Sequence, residues 1–213
     1  MEAPAVRAVY AWAVLVFFKQ SIVLLAVPKT GTTAYSEALA DLATMRITDP
    51  PVLKHAPLYR YQRFIRPLLE DVAGRRMETV AVVREPIDWL GSWWRYRRRP
   101  DLPDPQTSTA GIEFDAFVEG YCRAERPAWA DVGSQARFVT GKDGRIGVDR
   151  LFAYEDRARL DAFLSDRLGR TVRMERRNAS DGGTPALSPR TKGELRRQAA
   201  ADFEVWSIAG GRS

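Results

Sequence analysis

Apolar positions along this chain switch repeatedly between short continuous runs and a spacing of three or four residues, and the switches mark an alternation of strands and helices. Ile22 to Val27 is an unbroken apolar run, the signature of a strand covered on both faces, and Val14 to Phe18 just before it reads as a neighbouring strand. Ala34, Ala38, Leu39 and Leu42 then fall on one face of a helix, and Met45 to Thr48 is a short strand stopped by Asp49-Pro50-Pro51. Leu58, Tyr61, Ile65, Leu68, Leu69 and Val72 recur every three or four residues, which predicts one buried helical face ending at Gly74. Met77 to Val83 is a second continuous apolar run. Pro86 opens a helix that carries Trp89, Leu90, Trp93 and Trp94 and ends in the basic run Arg95 to Arg99.

Pro100 to Gly111 reads as a loop, Phe114 to Cys122 and Gly133 to Val139 as helices, and Val148 to Tyr154 as a further strand. Leu160, Phe163, Leu164 and Leu168 give an amphipathic helix, followed by the aperiodic segment Arg173 to Gly183. Ser188-Pro189 starts a last helix running toward Trp206. Strands alternating with helices predict an α/β fold, a single-domain three-layer sandwich around a mostly parallel central sheet. In such sheets ligands gather beyond the carboxyl ends of the strands.

Composition narrows this picture in three ways. The 213 residues, 45% of them hydrophobic, suit one domain with a sizeable core, so residues 14–213 are taken as that domain and 1–13 as an extension or misassigned start. The apolar stretch Ala8 to Phe18 is too short to span a bilayer and leads straight into the strands, so no stable membrane insertion is expected. A net charge of +6 favours anionic partners without choosing one. The single cysteine, Cys122, cannot form an internal disulfide and sits in an apolar pattern, which fits a reducing, cytoplasmic setting. With one histidine and one cysteine, a Cys/His zinc site lacks ligands, and no metal is assigned.

The candidate chemistry sits at two strand ends. Pro28-Lys29-Thr30-Gly31-Thr32-Thr33 lies between the first long apolar run and a helix, where backbone N–H groups converge on an anion. Lys29 supplies a point charge there, and Thr30, Thr32 and Thr33 supply hydroxyls. An ordinary strand-to-helix turn capped by threonine is the plain alternative. Arg84 ends the next apolar run, with Ser92 eight residues on, about two helical turns into the following helix. Together they could grip a second anion. Alternatively, Arg84 pairs with Glu85 or Asp88, and Ser92 bonds back within its helix.

These elements resemble the sulfotransferases that use 3′-phosphoadenosine 5′-phosphosulfate. Their signature is a strand followed by Pro-Lys-Ser/Thr-Gly-Thr-Thr, then a strand-end Arg-Asp/Glu-Pro with Ser eight residues after the Arg. A Tyr-Glu-Asp follows a late strand, here Tyr154-Glu155-Asp156. The three motifs span roughly residues 21 to 156, and the likeness is to the bacterial and glycan-type branch; the C-terminal Arg-Lys-Gly motif of the phenol and steroid branch is absent. The resemblance implies a P-loop NTPase-like fold and sulfuryl transfer to an unidentified hydroxyl or amine, for instance on a carbohydrate or lipid. It implies Lys29, Thr30, Gly31, Thr32 and Thr33 at the 5′-phosphosulfate, Arg84 and Ser92 at the 3′-phosphate, and no metal requirement. Lys29 lies before the glycine and no glycine stands upstream, unlike the Gly-x-x-x-x-Gly-Lys-Ser/Thr of nucleotide hydrolases.

For the proton of the acceptor, His55, 26 residues after Lys29 and the only histidine, is the candidate base, with Glu37 and Glu85 behind it. Packing at the start of the next helix is the structural alternative for His55. Trp89 or Trp93 could stack on adenine, though aromatics at this spacing more often form core. Arg95 to Arg99 could attract an anionic acceptor or simply cap a helix end, and Arg176-Arg177-Asn178-Ala179-Ser180 could close over the nucleotide. Two other classes stand beside the enzyme: a non-catalytic nucleotide-binding domain, and a basic nucleic-acid-binding protein, which the scattered charge disfavours. A homo-oligomer is compatible with all three.

Overall fold

The computed structural model describes residues 13–173 and 183–211. A five-stranded sheet runs through them in the order β3-β1-β2-β4-β5, with β1 Val14–Phe17, β2 Ile22–Leu24, β3 Met45–Ile47, β4 Glu78–Val83 and β5 Arg150–Ala153. All five lie within the segments read as strands. The sheet is nevertheless mixed, not mostly parallel: β1 pairs antiparallel with β2 and with β3, while β2–β4 and β4–β5 are parallel. The cause is the connection Phe18–Ser21, too short for a crossover, which folds β1 back on β2 with Gln20 N donating to the Phe17 carbonyl at 3.2 Å. Because β1 alone is reversed, the carboxyl ends of the other four strands share one edge.

Side chains alternate along each strand and separate into two cores. Val14, Val16, Val23, Leu25, Ala81, Val83 and Ala153 point to one face. There they meet Leu58, Tyr61, Ile65 and Leu69 from a composite helix, and Ala136, Phe138, Val205 and Trp206 from further on. Leu15, Phe17, Ile22, Leu24, Val80, Val82 and Phe152 point to the other face, against Tyr35, Leu39, Leu160 and Leu164. Helices thus cover both faces. The first face carries α3 (Leu58–Arg60), a π-helical turn (Tyr61–Ile65) and α4 (Arg66–Ala73), preceded by the short α2 (Pro51–Lys54). The opposite face carries α1 (Thr32–Ala38) and α8 (Arg157–Leu168). A third apolar cluster, outside the sheet, joins α5 (Pro86–Tyr96), α6 (Phe114–Cys122) and α9 (Pro189–Gln198) through Trp89, Leu90, Phe114, Phe117, Tyr121 and Leu195.

The composite helix corrects one expectation. Leu58, Tyr61, Ile65 and Leu69 are buried, but Leu68 and Val72 are 57% and 67% exposed. The wider π-helical turn holds residues four apart in line over the sheet, so Leu68 and Val72 swing toward solvent with Phe64. The last helix is also two, α9 and α10 (Ala200–Ile208), meeting at Ala199. Earlier in the chain, α7 (Gln135–Val139) precedes β5. Cys122 is half-buried, and burial pushes its thiol up to about 11, as expected of an inert core cysteine. No helix among the described residues is long and apolar enough to cross a membrane.

The hydroxyl of Tyr61 is buried without a hydrogen-bond partner among the described residues. An unpaired buried donor costs more than its absence, so Tyr61→Phe should raise unfolding stability by about 1 kcal/mol. Urea melts of the two proteins read this directly, and a Tyr61→Phe variant less stable than wild type would show that the hydroxyl is satisfied.

Candidate functional site

The turn after β2 is strained. Lys29 has φ 67° and Gly31 φ 75°, both left-handed, and Gly31 caps the amino end of α1. A second reason keeps residue 31 a glycine: a Cβ there would stand 2.9 Å from Cε2 of Tyr154, whose ring lies against the turn. Thr30 is fully buried, and its hydroxyl donates to the Val27 carbonyl at 2.8 Å. Thr30 therefore braces the turn from within. Thr32 is buried and Thr33 partly exposed.

The elements at the sheet edge lock onto this turn. Trp89 Nε1 donates to the Pro28 carbonyl at 2.9 Å, and Arg84 Nη1 to the Lys29 carbonyl at 3.3 Å. Arg84 is only 13% exposed: its Nε donates to Asp88 Oδ2 at 2.7 Å and its guanidinium lies 4.5 Å over the Tyr154 ring. The alternative pairing with Asp88 is thus present, and Arg84 can grip a further anion only through its remaining N–H groups or in competition with Asp88. Gln135, at the start of α7, brackets the Arg84 backbone, accepting from its N–H and donating to its carbonyl, both at 2.8 Å. Ser92 is partly exposed on α5.

Positive charge converges on Lys29. Its ammonium lies 4.3 Å from the Tyr96 ring centroid and 5.8 Å from that of Trp93. Burial, followed by the charges of Arg99, Arg84 and Arg95, lowers its pKa to about 7. The basic run therefore divides. Arg95 and Arg99, four apart, face Lys29, whereas Arg97 donates to the carbonyls of Ala128 and Asp131, both at 2.8 Å, and stacks on Trp93. A signal for this was present in the sequence: Asp88, Ser92, Arg95 and Arg99 follow helical spacing on one face of α5 and its end. Trp89 and Trp93 hold the turn and the lysine, so both belong partly to the site and partly to the core.

His55 packs against the segment that leads into the turn. It follows α2, and its Nδ1 donates to the Ala26 carbonyl at 3.0 Å, three residues before Lys29. That bond puts the ring's basic lone pair on Nε2, and burial lowers its pKa, favouring the neutral form. Glu85 instead caps α5, accepting from Asp88 N at 2.7 Å, and its pKa is raised chiefly by burial. Glu37 lies on the exposed side of α1. In the Tyr-Glu-Asp sequence, Tyr154 supports Gly31, Glu155 accepts from Glu85 N at 2.8 Å and Trp206 Nε1 at 2.9 Å, and Asp156 caps α8.

Arg176 to Ser180 lie outside the described residues. The chain resumes at Gly183 against α5, with Thr184 donating to Asp88 and filling the space a side chain at Gly91 would need. The site is thus a basic edge of a mixed α/β protein, with the charges of Arg84, Arg95 and Arg99 gathered about Lys29. A scan of protein-family models gave no match, and comparison with curated proteins and with solved structures gave none either.

Proposed function

We propose that the chain is a sulfotransferase that moves a sulfuryl group from 3′-phosphoadenosine 5′-phosphosulfate to a hydroxyl or amine of an acceptor, on a P-loop NTPase-like strand–turn–helix unit. One observation carries this reading: the Lys29 turn meets Arg84 and the following helix at a single sheet edge, where three arginines gather about Lys29. Such excess charge suits a ligand with two separated anionic groups. Gly31, Thr32 and Thr33 would hold the 5′-phosphosulfate through backbone N–H groups, and Arg84, Ser92 and Arg95 would face the 3′-phosphate.

The donor supplies an activated sulfur–oxygen bond. Transfer forms a bond between the acceptor oxygen and sulfur, breaks the one to the 5′-phosphate, and releases a proton. His55 Nε2 is suited to take that proton, because the Ala26 carbonyl holds the tautomer whose lone pair lies there. Lys29 is suited to neutralise the leaving phosphate oxygen. Transfer of radiolabelled sulfate to a panel of hydroxylated acceptors tests the reading. His55→Ala should lower turnover by about a hundredfold with little change in nucleotide affinity, and wild-type turnover in that variant removes His55 as base.

The Arg84–Asp88 pair favours a second reading, a nucleotide-binding protein in which Arg84 is a clamp and not a phosphate ligand. That protein would not prefer a 3′-phosphorylated nucleotide.

A further inference from the structure

Beside the turn lies a cavity of about 520 Å³ that none of the motifs above addresses. Pro28 and Trp89 form one wall, Tyr59 a second, and Phe138 a third, so most of its surface is apolar. Its volume falls in the range of small-molecule sites. Val27, Pro28 and Pro57 in its lining follow closely on Ala26 and His55, which a hydrogen bond joins. The cavity therefore adjoins the turn directly, through Pro28, and reaches the segment of the candidate base through Pro57.

Its charge is one-sided. The lining contains no aspartate or glutamate, yet it includes Arg137 and Lys142, both exposed. Neither forms an ion pair among the described residues, whereas Arg66, Arg76, Arg84, Arg150, Arg167, Arg170, Arg190 and Arg197 all do. The other polar side chains of the lining, Ser134, Gln135 and Thr140, are engaged with Asp202, the Arg84 backbone and the Ala136 carbonyl, so a mostly apolar chamber with unmatched cations and no carboxylate disfavours neutral sugars, which need many polar partners, and cations. It suits an organic molecule with an apolar body and an anionic end.

We infer that this cavity binds an amphipathic organic anion, its apolar body against Trp89, Tyr59 and Phe138 and its carboxylate or equivalent group at Arg137 and Lys142. Resting on the sulfuryl-transfer reading, the opposite, hydroxyl end of this molecule is the acceptor, directed at the turn. The acceptor class is then a hydroxylated carboxylic acid, not a neutral sugar.

The probe pair is ω-hydroxydecanoate and its methyl ester, which differ chiefly in charge, titrated by calorimetry into the full chain with and without adenosine 3′,5′-bisphosphate. The acid should bind at least about tenfold tighter than the ester, the scale of one charge-assisted contact. Arg137→Glu combined with Lys142→Glu should abolish that preference and leave bisphosphate affinity unchanged. Equal binding of acid and ester, binding of neither, or a preference that survives the double reversal overturns the inference; the first two comparisons use the wild-type chain alone and do not depend on how the variant folds. Acid preference in a chain that does not bind the bisphosphate upholds the anion cavity and removes the sulfuryl-transfer reading, while bisphosphate binding without acid preference does the reverse.

Discussion

Lys29→Ala should lower sulfuryl-transfer turnover by about a thousandfold, the scale of removing a group that meets charge developing in a transition state, and should leave the fold intact. The side chain packs on Tyr96 and Trp93 without carrying a strand or a helix. The pH dependence gives a separate signature. Burial and the three arginines lower its pKa to about 7, so above pH 7 the ammonium of the ligand-free protein loses its proton. A bound dianion favours the charged form, so binding above pH 7 takes up a proton. Wild-type affinity for adenosine 3′,5′-bisphosphate should therefore fall as pH rises from 7, by up to about tenfold per unit. Lys29→Ala should flatten that slope. Calorimetry in buffers of different ionisation enthalpy measures the proton uptake, and a pH-independent wild-type affinity would contradict this assignment.

The second large effect is on stability. Asp202 of α10 is 4% exposed and accepts from Ser134 Oγ at 2.8 Å and Ala136 N at 2.7 Å, with the Tyr121 hydroxyl at 3.2 Å. Asp202→Ala strands these donors in the interior and should cost about 3 kcal/mol, on the order of a 6–12 °C fall in Tm for a chain of this size. Asp202→Asn, which keeps one acceptor, should cost about 1 kcal/mol. The same contact fixes the start of α7, where Gln135 brackets the Arg84 backbone, so the Ala variant should also weaken anion binding. A Tm within about 2 °C of wild type would show that the carboxylate is not a structural acceptor.

The strands were legible because apolar residues dominate short segments bounded by turn residues, and the helix starts at Pro86 and Pro189 because proline and a capping side chain mark them. The reversal of β1 was legible as well, in the four-residue gap between Phe17 and Ile22, had loop length been weighed against alternation. The π-helical turn was not, since Leu68 and Val72 satisfy helical spacing and only the local widening sends them outward. At the site, Lys29, Gly31 and Arg84 stood out because special backbone geometry and strand ends leave marks in sequence. Gln135, Tyr96 and Asp202 did not, for their work depends on neighbours 51, 67 and 66 residues away along the chain. The turn motif placed the Thr30 hydroxyl among the anion donors, whereas it is committed to the Val27 carbonyl.

The proposed function requires two separate phosphate anchors at one edge of the sheet, at Lys29 and at Arg84 with Ser92. Calorimetric titration with adenosine 3′,5′-bisphosphate and with adenosine 5′-monophosphate, at equal ionic strength, tests it most directly. The bisphosphate should bind at least about tenfold tighter, a difference of about 1.4 kcal/mol, and Arg84→Ala should erase the difference. Equal affinity for the two nucleotides, or binding of neither, would contradict it.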